Sequence, residues 1–262
     1  KYRSKCLKAR FAETFTVTAT ISEFHYTLYY YDQAGNLVKT VPPAGVNTSK
    51  FAYARSWSDS VIAARTSNTV LLPTHSMQTQ YRYNTLNQVV QQTTPDAGLS
   101  AFWYDRLGRL VISQNSVQKI STELNSLYSY TKYDYLGRIT EVGQIRNSNG
   151  SEPVNNQLTR NTTQLEAWFT ARNLYRGQIT ETSYDFPYVG YAGQESNTIW
   201  QRNLRNRVSY TSITDTATMS AFNQATVYSY DIHGNVDTLL QDYGSTNGVR
   251  NVMNIQVYNS NR

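Results

Sequence analysis

The stretch "SLYSYTKYDYLGRITEVGQI", residues 126–145, decides how the rest of the chain is read. A tyrosine-rich run meets Tyr133-Asp134, Gly137-Arg138-Ile139 follows, and β-prone residues resume at once. Acid, phenol and guanidinium within one turn look like chemistry. Asp followed three residues later by Gly is also a device for reversing a strand. Asp at the first turn position accepts a hydrogen bond from the backbone two residues on, and Gly takes the positive φ that ends such a turn.

Recurrence separates the two readings. Tyr31-Asp32-Gln33-Ala34-Gly35-Asn36-Leu37, Tyr104-Asp105-Arg106-Leu107-Gly108-Arg109-Leu110 and Tyr230-Asp231-Ile232-His233-Gly234-Asn235-Val236 repeat the pattern of Tyr133 to Ile139. Weaker copies are Tyr83 to Val89, with Asn84 for Asp and Asn87 for Gly, and Arg202 to Val208, which keeps only a second half ending at Asn206-Arg207-Val208. Tyr184-Asp185 opens a copy, but Phe186-Pro187 follow and its Gly-Arg half is absent. Gly gives way to Asn, the next best residue for left-handed backbone, and Arg gives way to Asn or Gln. A backbone requirement tolerates that exchange; a catalytic one does not. The turns are therefore expected at Tyr31, Asp32 and Gly35; Tyr83 and Asn87; Tyr104, Asp105, Gly108 and Arg109; Tyr133, Asp134, Gly137 and Arg138; Tyr184 and Asp185; and Tyr230, Asp231 and Gly234. In the opening stretch, Tyr133 and Arg138 are expected to pair across the two strands.

Each copy reads as a β-hairpin, with "FHYTLYYY", "AFWY", "LYSYTKY" or "VYSY" before the turn and "NLVKTV", "RLVISQ", "RITEVG" or "NVDTLL" after it. The predicted fold is all-β: antiparallel hairpin repeats forming part of a spiralling sheet. Composition agrees, with 22 Tyr against 8 Phe and only 16% charged residues. In 127–133 neither alternating face is fully apolar, which suits a sheet wetted on both sides better than a sandwich core. At most one short helix is expected, near 162–175, where Leu165, Trp168, Phe169 and Arg172 share a stripe. Segments 41–50, 93–98 and 145–157 read as loops. No linker divides the chain, so residues 1–262 are expected to be one repeat segment. The start at Lys1-Tyr2-Arg3, without Met or an apolar leader, suggests a piece of a longer polypeptide.

Little supports other chemistry. The net charge of +6 brings nucleic acid into view, but the basic residues are scattered beyond Lys1, Arg3, Lys5, Lys8 and Arg10, and a small group at Arg202, Arg205 and Arg207. Nucleic acid is not the expected partner. Cys6 is the only cysteine, and His25, His75 and His233 are far apart, so no zinc spacing or nucleophile motif exists. No enzyme activity, metal or cofactor is expected, and no apolar run reaches the ~18 residues of a membrane span. The sequons at Asn47 and Asn161 are taken as chance matches. The aromatic residues, Trp57, Trp103, Trp168 and Trp200 among them, are read as packing pairs, with stacking on glycans as the alternative.

These repeats resemble the YD-repeat, or Rhs, family of bacterial polymorphic toxins, insecticidal toxin complex cocoon subunits and teneurins, named for the Tyr-Asp-x-x-Gly-Arg-Leu pattern seen at 104–110. The resemblance runs from about residue 24 to 240 and implies a sheet that winds into a hollow shell. In toxin members that shell encloses a C-terminal effector domain. It further implies a segment of a secreted or cell-surface bacterial protein, whose partners are the rest of its own chain and an effector. The alternative is a surface adhesion or carbohydrate-binding module. The family's self-cleaving aspartate motif is not recognisable in "NVMNIQVYNSNR", so no cleavage activity is carried over; Tyr258-Asn259 there opens a possible further copy.

Overall fold

The computed structural model describes residues 1–12, 26–47, 55–69, 71, 74–119, 126–147, 154–188, 200–216, 223–246 and 249–256. Contacts divide the chain into two compact units, a division that no linker in the sequence marks. One unit comprises Lys1–Tyr29 with Thr40–Met77, the other Tyr30–Lys39 with Gln78–Arg262. The first holds helices α1 (Tyr2–Ala12) and α2 (Arg55–Thr66) and a 3-10 turn at Pro43–Gly45. Within it the Gly45 carbonyl accepts the Ser76 N–H (2.9 Å), and buried His75 accepts the Asn47 N–H at Nδ1 (3.2 Å).

Among the described residues thirteen strands form one sheet whose order follows the chain. They are β1 (Leu28–Tyr31), β2 (Leu37–Val41), β3 (Thr79–Tyr83), β4 (Val89–Thr94), β5 (Gly98–Tyr104), β6 (Leu110–Gln114), β7 (Leu127–Tyr133), β8 (Ile139–Arg146), β9 (Arg176–Tyr184), β10 (Val208–Thr216), β11 (Gln224–Tyr230), β12 (Val236–Thr246) and β13 (Val249–Gln256). From β3 to β13 the recorded pairings are antiparallel between chain neighbours. The fold is thus all-β and built from hairpins. In such a meander alternate connections lie at opposite margins. The Tyr-Asp turns all fall on one margin, and connections of variable length fall on the other.

Register fixes what shares a face, because directly opposed residues point the same way. Glu141 opposes Glu181, Glu181 opposes Ser212, Ser212 opposes Ala225 and Ala225 opposes Asp242, a row across β8 to β12. Lys132 of β7 opposes Glu141, so Tyr130 and Ile145, two and four residues along from that pair, belong to the same face. Most of that face is covered, although Glu181 is exposed. Helices α4 (Asn156–Arg160) and α5 (Thr162–Ala171) arise from the β8–β9 connection, each started by an Asn side chain: Asn155 accepts the Leu158 N–H (2.8 Å) and Asn161 the Gln164 N–H (3.1 Å). Leu165, Trp168 and Phe169 pack on Val111, Ile112, Tyr128, Tyr130 and Ile145. Trp168 meets Tyr128 edge-on (6.2 Å) and Phe169 meets Tyr130 (5.4 Å). Burying each of these large side chains stabilises by about 1.5–3 kcal/mol. Further along the same face, Tyr188, Val227, Leu240 and Tyr210 make a second cluster.

Two expectations are corrected. The helix at 162–175 is present as Thr162–Ala171 followed by a 3-10 turn at Asn173–Tyr175, but it does not stand alone: α1, α2, α4 and the short α3 (Ser116–Lys119) are helical too. Nor is the sheet wetted evenly on both sides, since β7 and β11 alternate buried and half-buried residues. Tyr128 and Tyr130 are a core face only because α5 arrives from elsewhere in the chain. Of the expected loops, 93–98 is the tight β4–β5 turn, 43–45 is the 3-10 turn, and parts of 41–50 and 145–157 lie outside the described residues, as do His25 and Tyr258-Asn259.

Candidate functional site: the ladder between repeats

In each intact copy the first residue of the turn organises its own backbone. Asp134 Oδ1 accepts the N–H groups of Leu136 (2.9 Å) and Arg138 (2.8 Å), while the backbone closes through Gly137 N–H to the Asp134 carbonyl (3.1 Å) and Asp134 N–H to the Arg138 carbonyl (2.9 Å). Asp105 repeats this on Leu107 and Arg109, Asp231 on His233 and Asn235, and Asn84 on Leu86 and Gln88. Asp32 accepts the Asn36 N–H (2.8 Å). Gly35, Gly108, Gly137 and Gly234 hold positive φ of 84°, 78°, 83° and 94°, and Asn87 holds 56° in the same position.

The second carboxylate oxygen holds the residue after the glycine. Asp105 Oδ2 takes Arg109 Nε (2.7 Å), Asp134 Oδ2 takes Arg138 Nε (2.7 Å), and Asp32 and Asp231 take the amides of Asn36 and Asn235 (3.0 Å each). So tethered, that residue does not reach back to its own tyrosine. Arg138 is not paired with Tyr133, contrary to the sequence expectation. The Arg138 guanidinium lies over the ring of Tyr184 (4.3 Å) in the next hairpin, and Arg109 lies over Tyr133 (4.5 Å). Arg207 lies over Tyr230 (5.4 Å). Where Arg is replaced the direction is kept: Asn36 donates to Asn87 Oδ1 (3.1 Å), and Gln88 donates to the Gly108 carbonyl (2.8 Å).

The tyrosines complete the ladder in the opposite sense. Tyr83 donates its hydroxyl to the Leu37 carbonyl, Tyr104 to Val89, Tyr133 to Leu110, Tyr184 to Ile139 and Tyr230 to Val208, all at 2.8–2.9 Å. Each acceptor is the hydrophobic residue that closes the preceding copy. Beside four of these carbonyls the strand carries one extra residue, as the register shift next to each tyrosine shows: Val90 opposite Tyr83, Val111 opposite Tyr104, Thr140 opposite Tyr133 and Ser209 opposite Tyr184. A bulge takes the local carbonyl out of step with the ladder and leaves it for a side-chain donor. Burial raises the phenol pKa of Tyr83, Tyr104, Tyr133 and Tyr230, which keeps them protonated as donors. Tyr31, in the first copy, is exposed.

The two incomplete copies are halves of one. Val208 opposes Tyr184 as Ile139 opposes Tyr133, and the Asp185 N–H donates to the Arg207 carbonyl (3.2 Å) as the Asp134 N–H does to that of Arg138. Asp185 receives the Asn206 N–H, and Asn206 has the positive φ (59°) of the missing glycine. The insertion at 186–203 splits the turn without unmaking it. Both of its described ends are anchored on the sheet: Tyr188, near its start, donates to Asp242 (3.3 Å), and Gln201 Nε2, near its end, donates to the Ser209 and Tyr228 carbonyls (2.9 and 2.8 Å). Complementary halves in the sequence were the signal for this hairpin.

At the split copy the turns are joined by charge: Arg138 bridges Asp134 and Asp185, with Nη2 to Asp185 Oδ2 at 2.7 Å. These residues border a cleft of about 400 Å³ that also takes in Glu141, Glu181 and Tyr210. Glu141 receives Tyr130, Lys132 and Arg176, which offsets the like charge of Glu181 opposite it. Among the described residues no cluster of His, Cys, Asp and Glu is arranged to hold a metal, and no helix is long and apolar enough to cross a membrane. Of the two basic groups, Arg202 pairs with Asp237 (2.8 Å) and Arg207 serves the ladder, while Arg3, Lys5, Lys8 and Arg10 of the N-terminal one lie on α1. Trp103 and Trp168 are packing partners of Tyr128, and Trp200 is exposed.

Two outcomes follow from this geometry. Tyr133→Phe and Tyr184→Phe, each read by urea unfolding, are expected to lose about 1 kcal/mol, the net worth of one hydrogen bond, with native secondary structure retained. The second concerns acid. The Asp185 carboxyl is held below its ordinary pKa by the Arg138 hydrogen bond and the Asn206 N–H; Asp32 and Asp231 are held below theirs by Asn36 and Asn235. For Asp134 desolvation acts upward and is outweighed by Arg138. Depressed folded-state values mean that the unfolded chain binds more protons in the acid range, so this stabilisation is complete above about pH 4 and is lost as pH falls below it. Urea midpoints measured from pH 7 downward are expected to fall in that window, less steeply in Arg138→Met.

No protein-family model and no curated protein matches the chain. Among solved structures it is similar to the Tc holotoxin pore of Photorhabdus luminescens with a mutated TccC3 (14% identity, 82% of this chain, 10% of that chain, TM-score 0.27). It is also similar to the TcdB2–TccC3 complex (15% identity, 86% of this chain, 11% of that chain, TM-score 0.28) and to that complex without its hypervariable C-terminal region (14% identity, 87% and 11%, TM-score 0.28). The chain spans about a tenth of the length of those chains. Beside these likenesses stands the resemblance of its own repeats to the YD-repeat, or Rhs, pattern.

Proposed function

We propose that this chain is a stretch of wall in a larger β-shell that encloses or presents a cargo, such as an effector domain carried by the same polypeptide. The observation that carries this is the ladder itself. Each hairpin from β3 onward is latched to the one before it by a tyrosine hydroxyl, and it receives its predecessor's Arg, Gln or Asn. Such nearest-neighbour contacts make a structure that extends by repetition along the sheet. The turn residues that resembled an acid-phenol-guanidinium site take part in this latching, which supports a structural role for them. Containment by a wall works by steric exclusion, and a largely half-buried polar surface holds cargo without a strong apolar grip. The setting that fits is a secreted or surface-exposed protein. Surface adhesion through glycans is the competing use of the same sheet.

Electron microscopy of the longer polypeptide that contains these repeats, combined with limited proteolysis, tests the reading. A lumen, with any enclosed domain protected from protease until the wall is cut, is the expected result. A solid particle whose domains are all cleaved at equal rates contradicts it. A glycan array with hits abolished by substituting exposed aromatics would favour adhesion instead.

A further inference from the structure

The turn motif gives Tyr, Asp, Gly and Arg a task and leaves the two positions between Asp and Gly without one. Large apolar side chains stand there all the same. Leu86, Leu107, Tyr135, Leu136 and Ile232 are exposed at turn tips, and Phe186 follows Asp185 in the split copy. Tyr135 is 92% exposed, Phe186 75% and Leu107 71%. Turns favour Gly, Pro, Asn, Asp and Ser. A single exposed apolar residue needs no explanation, but recurrence at five successive hairpins does. Neighbouring hairpins lie two strand spacings apart, about 10 Å, so the tips form a row along one margin of the sheet. Strand twist turns each tip relative to the last, which limits one flat contact to about three hairpins.

The middle three hairpins, β5–β6 to β9–β10, also carry unpaired charge. Beside Leu107, Arg106 is exposed and has no ion pair or hydrogen bond among the described residues. Beside Tyr135 and Phe186, the cleft of about 400 Å³ leads down to Glu181. Three of the four carboxylates around it have cations: Asp134 and Asp185 share Arg138, and Glu141 has Lys132 and Arg176. Glu181 has neither a cation nor a hydrogen-bond donor among the described residues. A lone cation on one side of an apolar patch and a lone anion on the other make the patch complementary to itself when turned about a twofold axis. An anionic lipid surface would suit Arg106 and repel Glu181; a second copy satisfies both. The area also suits a protein partner. Leu107, Tyr135, Leu136 and Phe186 expose roughly 600 Å² of side chain, close to the ~800 Å² that each partner gives to a standard interface.

We propose that this margin is a dimer interface, in which two copies of the chain pack these four apolar residues about a twofold axis and Arg106 of each enters the other's cleft to pair with the partner's Glu181. The pairing needs neither a lumen nor a cargo, so it stands apart from the sheet's role as a wall. Sedimentation velocity of the 262-residue chain, from about 1 to 100 µM, tests it, and a concentration-dependent dimer is expected. Arg106→Glu and Glu181→Arg each set like charges face to face and are expected to raise the dissociation constant by roughly tenfold to a hundredfold. Combined in one chain, the two substitutions are expected to restore association. Tyr135→Ser/Phe186→Ser is expected to abolish the dimer with an unchanged circular dichroism spectrum, since both side chains are exposed. A chain that stays monomeric throughout overturns the proposal. A dimer that survives Tyr135→Ser/Phe186→Ser, as pairing through the terminal strands β1 or β13 would, overturns it too, and so does a charge swap that fails to restore association. Monomers that bind phosphatidylserine vesicles through the same tips overturn it in favour of a lipid surface.

Discussion

The sheet depends on one exchange: a tyrosine hydroxyl given to the carbonyl that closes the preceding hairpin, answered by that hairpin's Arg, Gln or Asn reaching forward. A two-stranded hairpin alone is marginal in water. Backbone pairing joins strands but says nothing about which hairpin lies beside which. The tyrosine latch supplies that, at a carbonyl which the adjoining bulge has taken out of the regular ladder. Each latch is worth about 0.5–1.5 kcal/mol, and each guanidinium–aromatic contact about 0.5–1 kcal/mol. These are small terms, made significant by repetition.

The same economy explains the residue pattern. Asp turns the backbone with one oxygen and aims the following Arg with the other, so a single carboxylate sets both the hairpin and the direction of its contact. Gly answers to its neighbour as well as to its own backbone. A Cβ at Gly234 would lie 2.7 Å from Arg207 Nη2, whereas one at Gly35, in the first copy, would meet nothing within 4 Å. The covered face obeys a different rule. There the apolar partners are brought by insertions, α4 and α5 over β6 to β8, and the segment around Tyr188 over β11 and β12.

What was legible in the sequence was local. Asp-x-x-Gly specifies a turn within five residues, and substitution of Asn87 for Gly is readable because Asn is the next residue to accept left-handed backbone. The helix stripe Leu165, Trp168, Phe169 and Arg172 was readable for the same reason. Partners were not. Tyr133 meets Leu110 and Tyr184 meets Ile139, across connections of different length, so no fixed spacing announces them. Adjacency in sequence suggested Tyr133 with Arg138, and the tether on Asp134 turned Arg138 the other way. The Tyr184 copy hid because residues 186–203 separate its halves. The short helix α4 hid because its periodicity is brief and its start rests on one Asn155 cap.

The central claim is that the recurring tyrosine and arginine of one motif act on different neighbours. A pair of double-mutant cycles measures it, Arg138→Met with Tyr184→Leu on one side and Arg138→Met with Tyr133→Leu on the other, read by urea unfolding. The account predicts a coupling of about 0.5–2 kcal/mol between Arg138 and Tyr184 and close to none between Arg138 and Tyr133. Coupling confined to Arg138 and Tyr133 would contradict it.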